Sequence, residues 1–316
     1  MKFRKPKFWD YKKPSFLSYA LLPLTIFVEI NNFFLNLKKK KNINRIKSIC
    51  VGNIYIGGTG KTPTTIKIYK ILKNMGFSAV VGKKNYADQL DEINILKNQV
   101  KIITDKHRTE ILAKAKQKQN NVVVFDDGLQ DKSVSYDMQI TCFDSDNLVG
   151  NNFLIPAGPL RERISKLSKY DCVILKGQNK NVPNFVKIVK KINNKIKIFN
   201  TYFKINNLNK FKKSKKYVIF SGIGSPESFK KILLKNKINV IKEIIFPDHY
   251  SYTTRDINKI KKIAIKSNAQ IITTEKDYVK LSKSEQKKIS FLKVEIKFKN
   301  ERKFINYLKL KMYEKY

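Results

Sequence analysis

The stretch VGNIYIGGTGKTPTT, Val51–Thr65, decides how the rest of the chain is read. Glycines at 57, 58 and 60 run straight into Lys61 and Thr62, between an apolar, strand-like run (IKSICVG) and a segment of helical spacing. Glycine lets the backbone curl until successive N–H groups aim at one anion, and the start of the next helix adds its positive end. Lys61 has the reach for terminal phosphates, and Thr62 carries a hydroxyl suited to Mg²⁺. The usual spelling, G-x-x-x-x-G-K-[ST], places a glycine at 55, where this chain has Tyr55. Gly57 and Gly58 lie inside the loop and can take the strained angles instead. Gly57, Gly58, Thr59, Gly60, Lys61 and Thr62 therefore read as a nucleotide-phosphate cradle.

Working outward, strands and helices alternate from Ile46. KTPTTIKIYKILKNMG has Ile66, Tyr69, Leu72 and Met75 at helical spacing, with Gly76 placed to end it. FSAVVG, NVVVFDDG, MQITCFD and YDCVILKG read as strands, and RTEILAKAKQKQ as a helix. Repeated units of this kind predict an α/β fold, P-loop NTPase-like, with a mostly parallel sheet and helices on both faces over residues 46–203. The Lys- and Asn-rich stretch KINNLNKFKKSKK, 204–216, interrupts the pattern and is expected as a linker. Alternation restarts over 217–316 as a second, smaller α/β domain whose last segment can return to the core. There, SPESFKKILLKN is expected as a helix capped by Ser225 with Pro226 in its first turn. DINKIKKIAIKSN reads as a further helix and AQIITTEKD as a strand and loop.

The chain has 316 residues, 42% of them hydrophobic, which suits two modest domains with real cores and argues against disorder. Its formal charge of +41 suggests a nucleic-acid binder, yet only seven of the 66 basic residues are Arg. Phosphate and base recognition favours the planar fork of Arg, whereas Lys spread along the whole chain is what AT-rich coding produces. No nucleic acid is expected as a partner. Anionic surfaces, including acidic lipids, should still attract such a chain. The cysteines, Cys50, Cys142 and Cys172, are scattered within apolar runs, fitting a reducing compartment and buried structural thiols.

Residues 15–37 are the most apolar part. The uncharged run from Pro14 to Val28 is too short for the roughly 20 apolar residues a spanning helix needs, and no small-residue cleavage site marks a signal peptide. Beyond Pro23, Leu24, Phe27, Ile30, Phe34 and Leu37 share one helical face, with Thr25, Glu29, Asn32 and Asn36 opposite and lysines at 38–41 following. An amphipathic helix with a basic flank, residues 1–45, is expected to lie on an anionic membrane surface. A helix packed on the core or on a partner is the alternative.

Other residues could carry chemistry. VVVFDDGLQ ends an apolar strand in Asp126 and Asp127, where a P-loop enzyme keeps carboxylates beside its metal. In LIPAGPLRERISKL, prolines and a glycine shape a turn into an expected helix starting with Arg161 and Glu162; an Arg here can stabilise a transferred phosphoryl group. His249, in FPDHYSYTTRD, reads as a general base or as a solvated loop residue, and His107 as a surface residue. TTEKDYVKL, 273–281, puts polar groups at a strand end, where α/β sheets place their sites.

Taken in order, VGNIYIGGTGKTP, FDDGLQ, FLIPAGPLRE, SGIGSPESF, FPDHYSYT and IITTEKDYVKL resemble the tetraacyldisaccharide 4′-kinase family of lipid A biosynthesis in Gram-negative bacteria. The resemblance implies ATP and Mg²⁺ as cofactors and phosphorylation of the 4′-hydroxyl of a lipid disaccharide 1-phosphate. It also implies a hydrophobic helix that attaches to the cytoplasmic face of the inner membrane. By motif, Lys61 and Thr62 would bind phosphates and metal, Asp126, Asp127 and Gln130 would order the metal region, and Arg161 and Glu162 would contact phosphate and Mg²⁺. His249 matches the family's F-P-D-H histidine, and Asp91, in QLDEINIL, takes the place of its aspartate partner, with Leu90 and Ile93 where the family has glycine and proline. His249 and Asp91 would then serve the sugar hydroxyl as base, between the two domains. The segment VVGKKNYADQ is shorter than in the family, Asp131 stands where a histidine is frequent, and Tyr250 where a second one is. A membrane-associated switch ATPase is the competing reading; its usual lysine before the paired glycines is Ile56 here.

Overall fold

The computed structural model describes residues 5–37, 46–86 and 90–314. Along the chain come α1 (Phe16–Ala20), α2 (Thr25–Leu37), β1 (Lys47–Gly52), α3 (Lys61–Asn74), β2 (Ala79–Lys84) and α4 (Leu90–Lys97). Next are β3 (Ile102–Asp105), α5 (Arg108–Gln117), β4 (Val122–Asp126), β5 (Met138–Asp144), β6 (Cys172–Lys176), α6 (Val182–Ile192) and β7 (Lys197–Ile205). There follow β8 (Lys216–Ser221), α7 (Pro226–Lys235), β9 (Asn239–Ile245), α8 (Thr254–Lys266), β10 (Ala269–Thr274) and α9 (Glu275–Tyr278). The last are α10 (Lys283–Gln286), β11 (Ile289–Leu292), β12 (Val294–Phe298) and α11 (Glu301–Tyr313).

An eight-stranded sheet has the order β12-β7-β6-β5-β1-β4-β2-β3. β1 pairs in parallel with β4 on one side and β5 on the other, so that Ile49 lies opposite both Val124 and Met138. The chain winds to one side of β1 through β2 and β3 and to the other through β5, β6 and β7. The carboxyl end of β1 is thus a switch point, where open α/β sheets bind their ligands. Val122, Val123, Val124 and Phe125 are fully buried. That is why β4 reads as an unbroken apolar run instead of an alternating one. Each such valine contributes about 1.5–3 kcal/mol relative to exposure.

A four-stranded sheet, β11-β10-β8-β9, is parallel throughout. Alternate residues of β8 serve its two faces: Tyr217 and Ile219 pack with Phe229 and Leu233 of α7, whereas Val218 and Phe220 pack with Ile257, Ile260 and Ala264 of α8. Ser225 occupies the N-cap position of α7 but makes no side-chain cap bond; its Oγ lies 2.8 Å from Ser228 Oγ instead, so the expected cap is not formed.

The chain divides into two compact units, and not by a single cut near 204–216. The larger unit comprises Lys5–Asn85, Gln99–Tyr202 and Ile296–Tyr316; the smaller takes in Tyr86–Asn98 and Phe203–Glu295. α4 joins the smaller unit because its buried side, Asp91, Ile93 and Leu96, packs against α9. The polar stretch 204–216 ends β7, makes a short 3-10 turn at Leu208–Lys210 and begins β8.

In the larger unit, Glu29 and Asn32 of α2 bond to the segment at 161–163, and its apolar side faces outward. Glu29 pairs with Arg163, and Asn32 Nδ2 donates to the Arg161 carbonyl at 3.0 Å. On the opposite face Phe27 is 67% exposed and Phe34 61%. Leu24, Ile30 and Leu37 are exposed with them. The lysines at 38–41 lie outside the described residues. Among the described residues no helix is long and apolar enough to cross a membrane.

Candidate active site

The loop after β1 is gathered around one buried amide. Asn53 Nδ2 donates to the carbonyls of Tyr55 and Gly57 and, at 3.0 Å, to Thr59 Oγ1. Tyr55, at the position where the usual spelling has glycine, is 2% exposed and belongs to the core. Its hydroxyl bonds to Asp10 and accepts from Lys5 Nζ at 2.8 Å, so a bulky side chain anchors the loop where a glycine would only bend it. The left-handed angles fall on Gly57 (φ +131°) and Gly60 (φ +88°), not on Gly58 as expected. Gly60 is the N-cap of α3, whose first residues are Lys61 and Thr62.

Asp126, at the end of β4, organises the start of α3. Its Oδ2 accepts from Thr62 Oγ1 at 3.1 Å and from Lys83 Nζ at 2.8 Å, and its Oδ1 accepts from Thr65 Oγ1 at 3.1 Å. The side chains of Lys83 and Asp126 are 1% and 0% exposed. Asp127 follows with φ +57°, a backbone state that costs a non-glycine residue about 1–2 kcal/mol and that clusters at functional sites. This turn aims its carboxylate at Lys61 Nζ, 3.8 Å away, and at Arg161 Nη1, 3.3 Å away.

Arg161 and Glu162 do not start a helix. Leu160 bridges Tyr55 in antiparallel fashion, Ile56 N–H donates to the Pro159 carbonyl at 2.8 Å, and Arg161 N–H donates to the Ile54 carbonyl at 2.7 Å. These bonds hold the segment extended against the phosphate loop, and only a 3-10 helix, Ile164–Lys169, follows. Arg161 Nη1 also approaches Gln130 Oε1 at 3.4 Å. Gln130 Nε2 donates to Glu162 Oε2 at 3.1 Å, and Tyr170 donates to the same oxygen at 2.7 Å. Lys61, Asp127, Arg161, Gln130 and Glu162 therefore form one connected polar chain beside Thr62.

Among the described residues no cluster of three or more His, Cys, Asp or Glu could hold a metal by itself. Mg²⁺ needs none, because it takes one or two protein oxygens and completes its shell with phosphates and water. The Thr62 hydroxyl and the Asp127 and Glu162 carboxylates are hard oxygen donors of that kind. Asp126 already accepts from three donors, Thr62, Thr65 and Lys83. The cysteines take no part: all three are buried, and burial pushes the thiols of Cys50 and Cys142 up to about 12.

The smaller unit brings together Asp91 and His249. His249 Nδ1 lies 3.3 Å from Asp91 Oδ1, which is 5% exposed by side chain. His249 has φ +56°, and its N–H is held by Asp248 Oδ1 at 2.9 Å. On the other side of the ring, Nε2 is 3.0 Å from Lys276 Nζ. Lys276 also reaches Glu92 at 3.3 Å and Asp248 at 3.4 Å, and Lys280 reaches Asp91 Oδ2 at 3.4 Å. Burial pushes the Asp91 carboxyl up, but contact with His249 and the charges of Lys276 and Lys280 outweigh it and hold the group below its ordinary value. Burial works to lower Lys276, yet Glu92, Asp248 and Asp91 raise it above the ordinary lysine range. Asp277 fixes α9 beneath them, accepting from the Gly222 N–H at 3.0 Å and from Thr274 Oγ1 at 2.7 Å. His107 sits exposed at the N-cap of α5 with no side-chain cap bond.

Asn53, Lys83 and Glu92 escaped sequence reasoning. A signal existed for Lys83, a charged residue closing an otherwise apolar strand paired to β4. Lys276 and Lys280 lie in TTEKDYVKL, which the strand-end pattern marks as a stretch without singling out either lysine.

The sequence model of the tetraacyldisaccharide-1-P 4′-kinase family matches residues 17–98 and 82–313. A tetraacyldisaccharide 4′-kinase of Pelagibacter ubique is 40% identical over 315 residues, covering all of both chains. One of Rickettsia bellii is 34% identical over 302 residues, 90% of this chain and 91% of that one. The solved structure of LpxK from Aquifex aeolicus in complex with ATP shares the fold at TM-score 0.68, with 21% identity, over 94% of this chain and 100% of that one. With the family established, the switch-ATPase alternative falls away. The chain belongs to the tetraacyldisaccharide 4′-kinase family.

Proposed function

We propose that the chain transfers the γ-phosphoryl group of ATP to the 4′-hydroxyl of a tetraacyldisaccharide 1-phosphate, the step its family performs in lipid A biosynthesis. The observation that carries the acceptor half is the dyad: the His249 ring lies 3.3 Å from the Asp91 carboxylate through Nδ1. His249 Nε2 takes the hydroxyl proton as the sugar oxygen forms its bond to phosphorus and the bond from phosphorus to the departing ADP oxygen breaks. Asp91 steadies the imidazolium that results. The donor half belongs to the loop. Its N–H groups and the start of α3 cradle the phosphates, Lys61 neutralises their charge, and Arg161 supports the transferred group. Thr62, Asp127 and Glu162, ordered by Asp126 and Gln130, would hold Mg²⁺, which would supply neutralisation of phosphate charge.

Delivery of a tetraacylated substrate fits the exposed apolar face of α2. We place the chain on the cytoplasmic side of the inner membrane, with Phe27 and Phe34 entering the lipid surface and the lysine excess drawn to anionic headgroups. The test is a transfer assay with purified protein, detergent-solubilised disaccharide 1-phosphate, Mg²⁺ and labelled ATP, run beside Lys61→Ala. Label on the lipid that disappears with Lys61→Ala is the expected result. ATP hydrolysis with no labelled lipid refutes the assignment.

A further inference from the structure

The contact between Lys276 and His249 has a chemical meaning of its own. A lysine ammonium offers only donors, so the Nε2 it meets at 3.0 Å must present its lone pair. In a neutral imidazole the proton then resides on Nδ1, the atom facing Asp91. Lys276 thereby selects the tautomer that general-base chemistry at Nε2 needs. It is well braced for this: Glu92 and Asp248 hold its ammonium at 3.3 and 3.4 Å, and Asp277 anchors the helix that carries it. Those carboxylates also give the ammonium somewhere to rest once it leaves the ring.

We propose that Lys276 is a positioning residue for the base: its ammonium occupies the Nε2 lone pair until the acceptor hydroxyl replaces it, keeping His249 in the Nδ1–H form and aimed. Glu92 and Asp248 retain the displaced ammonium during transfer. Lys280, 3.4 Å from Asp91 Oδ2 and 3.1 Å from Asp277, balances the acid at the other end of the dyad. The inference rests on the kinase assignment for its catalytic consequence, but the tautomer is a property of the protein alone.

The chain has two histidines, so one substitution isolates the ring of interest. Full-length His107→Ala protein, labelled with ¹⁵N-histidine, reports the His249 tautomer through long-range proton–nitrogen correlations. The expected spectrum shows Nδ1–H. Adding Lys276→Met should bring in the Nε2–H form and lower kcat by at least about tenfold, within the range general-base catalysis supplies, with KM for ATP unchanged. Lys276→Arg, which keeps a donor and a charge, should restore both. An Nε2–H ring in the protein that retains Lys276 overturns the proposal even if Lys276→Met fails to fold, and so does an unchanged ring in folded Lys276→Met. If the wild-type chain labels no lipid, the kinase assignment fails while the ring spectrum still decides the role of Lys276.

Discussion

Replacing Lys83 by methionine should destabilise the larger unit while leaving its core packing nearly intact. The side chain is 1% exposed, its partner Asp126 is 0% exposed, and their charged atoms are 2.8 Å apart. Methionine fills most of the same volume, so the loss is electrostatic. Asp126 keeps its bonds from Thr62 and Thr65, but its charge stays buried with no cation at contact. Breaking one side of a buried pair costs about 3–5 kcal/mol, a large share of the roughly 5–15 kcal/mol that hold a domain together. For a unit of this size each kcal/mol lowers Tm by about 2–4 °C, which gives a drop of about 6–20 °C. Thermal unfolding followed by circular dichroism reads this directly. The double variant Lys83→Met/Asp126→Asn should recover part of the loss, since no uncompensated charge then remains. If Lys83→Met unfolds within about 1 °C of the wild type, where the arithmetic requires at least about 6 °C, the pair is solvated and the reasoning is wrong.

Other substitutions probe the site piece by piece. His249→Ala and Asp91→Ala should each lower kcat for lipid phosphorylation by about 10²–10⁴ without changing nucleotide affinity, measured in the labelled-ATP assay. Asp91, held below its ordinary 3.8, contributes stability that is present above that value and is lost as pH falls through its folded value. Asp91→Asn should accordingly flatten the acid limb of the unfolding midpoint plotted against pH. Gly60→Val forces a branched side chain into φ +88° at the start of α3, and nucleotide affinity by titration calorimetry should fall by more than about tenfold. Phe27→Asp with Phe34→Asp should reduce co-sedimentation with anionic vesicles by at least about tenfold, since each buried phenylalanine is worth about 1.5–3 kcal/mol, with activity in detergent retained.

Local signals carried well where one element sufficed. The apolar run of β4, the glycines before α3 and the inside-out pattern of α2 were all legible, because strand burial, loop curvature and helical periodicity are written in consecutive residues. Asp91 illustrates the opposite case. No local pattern in QLDEINIL ties it to His249, and only the family resemblance paired the two; in the fold α4 packs on α9, which carries Lys276 toward the ring. Arg161 and Glu162 were expected to start a helix and lie outside one. Backbone bonds from Ile54, Ile56 and Pro159 keep that segment extended, and no propensity reveals a partner a hundred residues away. Tyr55 looked like a defect in a phosphate loop and proves to be its anchor.

That anchor ties handling of the protein to its chemistry. Residues 5–37 carry the apolar face that invites removal when a soluble form is wanted, yet the same residues hold the loop. Lys5 and Asp10 grip the Tyr55 hydroxyl, Trp9 Nε1 donates to the Pro156 carbonyl at 2.9 Å, and Asn32 binds the Arg161 carbonyl. A chain trimmed of this segment would gain solubility and lose the floor under its phosphate site. Softening the apolar face by point substitution, with the inward-facing polar residues untouched, is the route that leaves a working enzyme to purify.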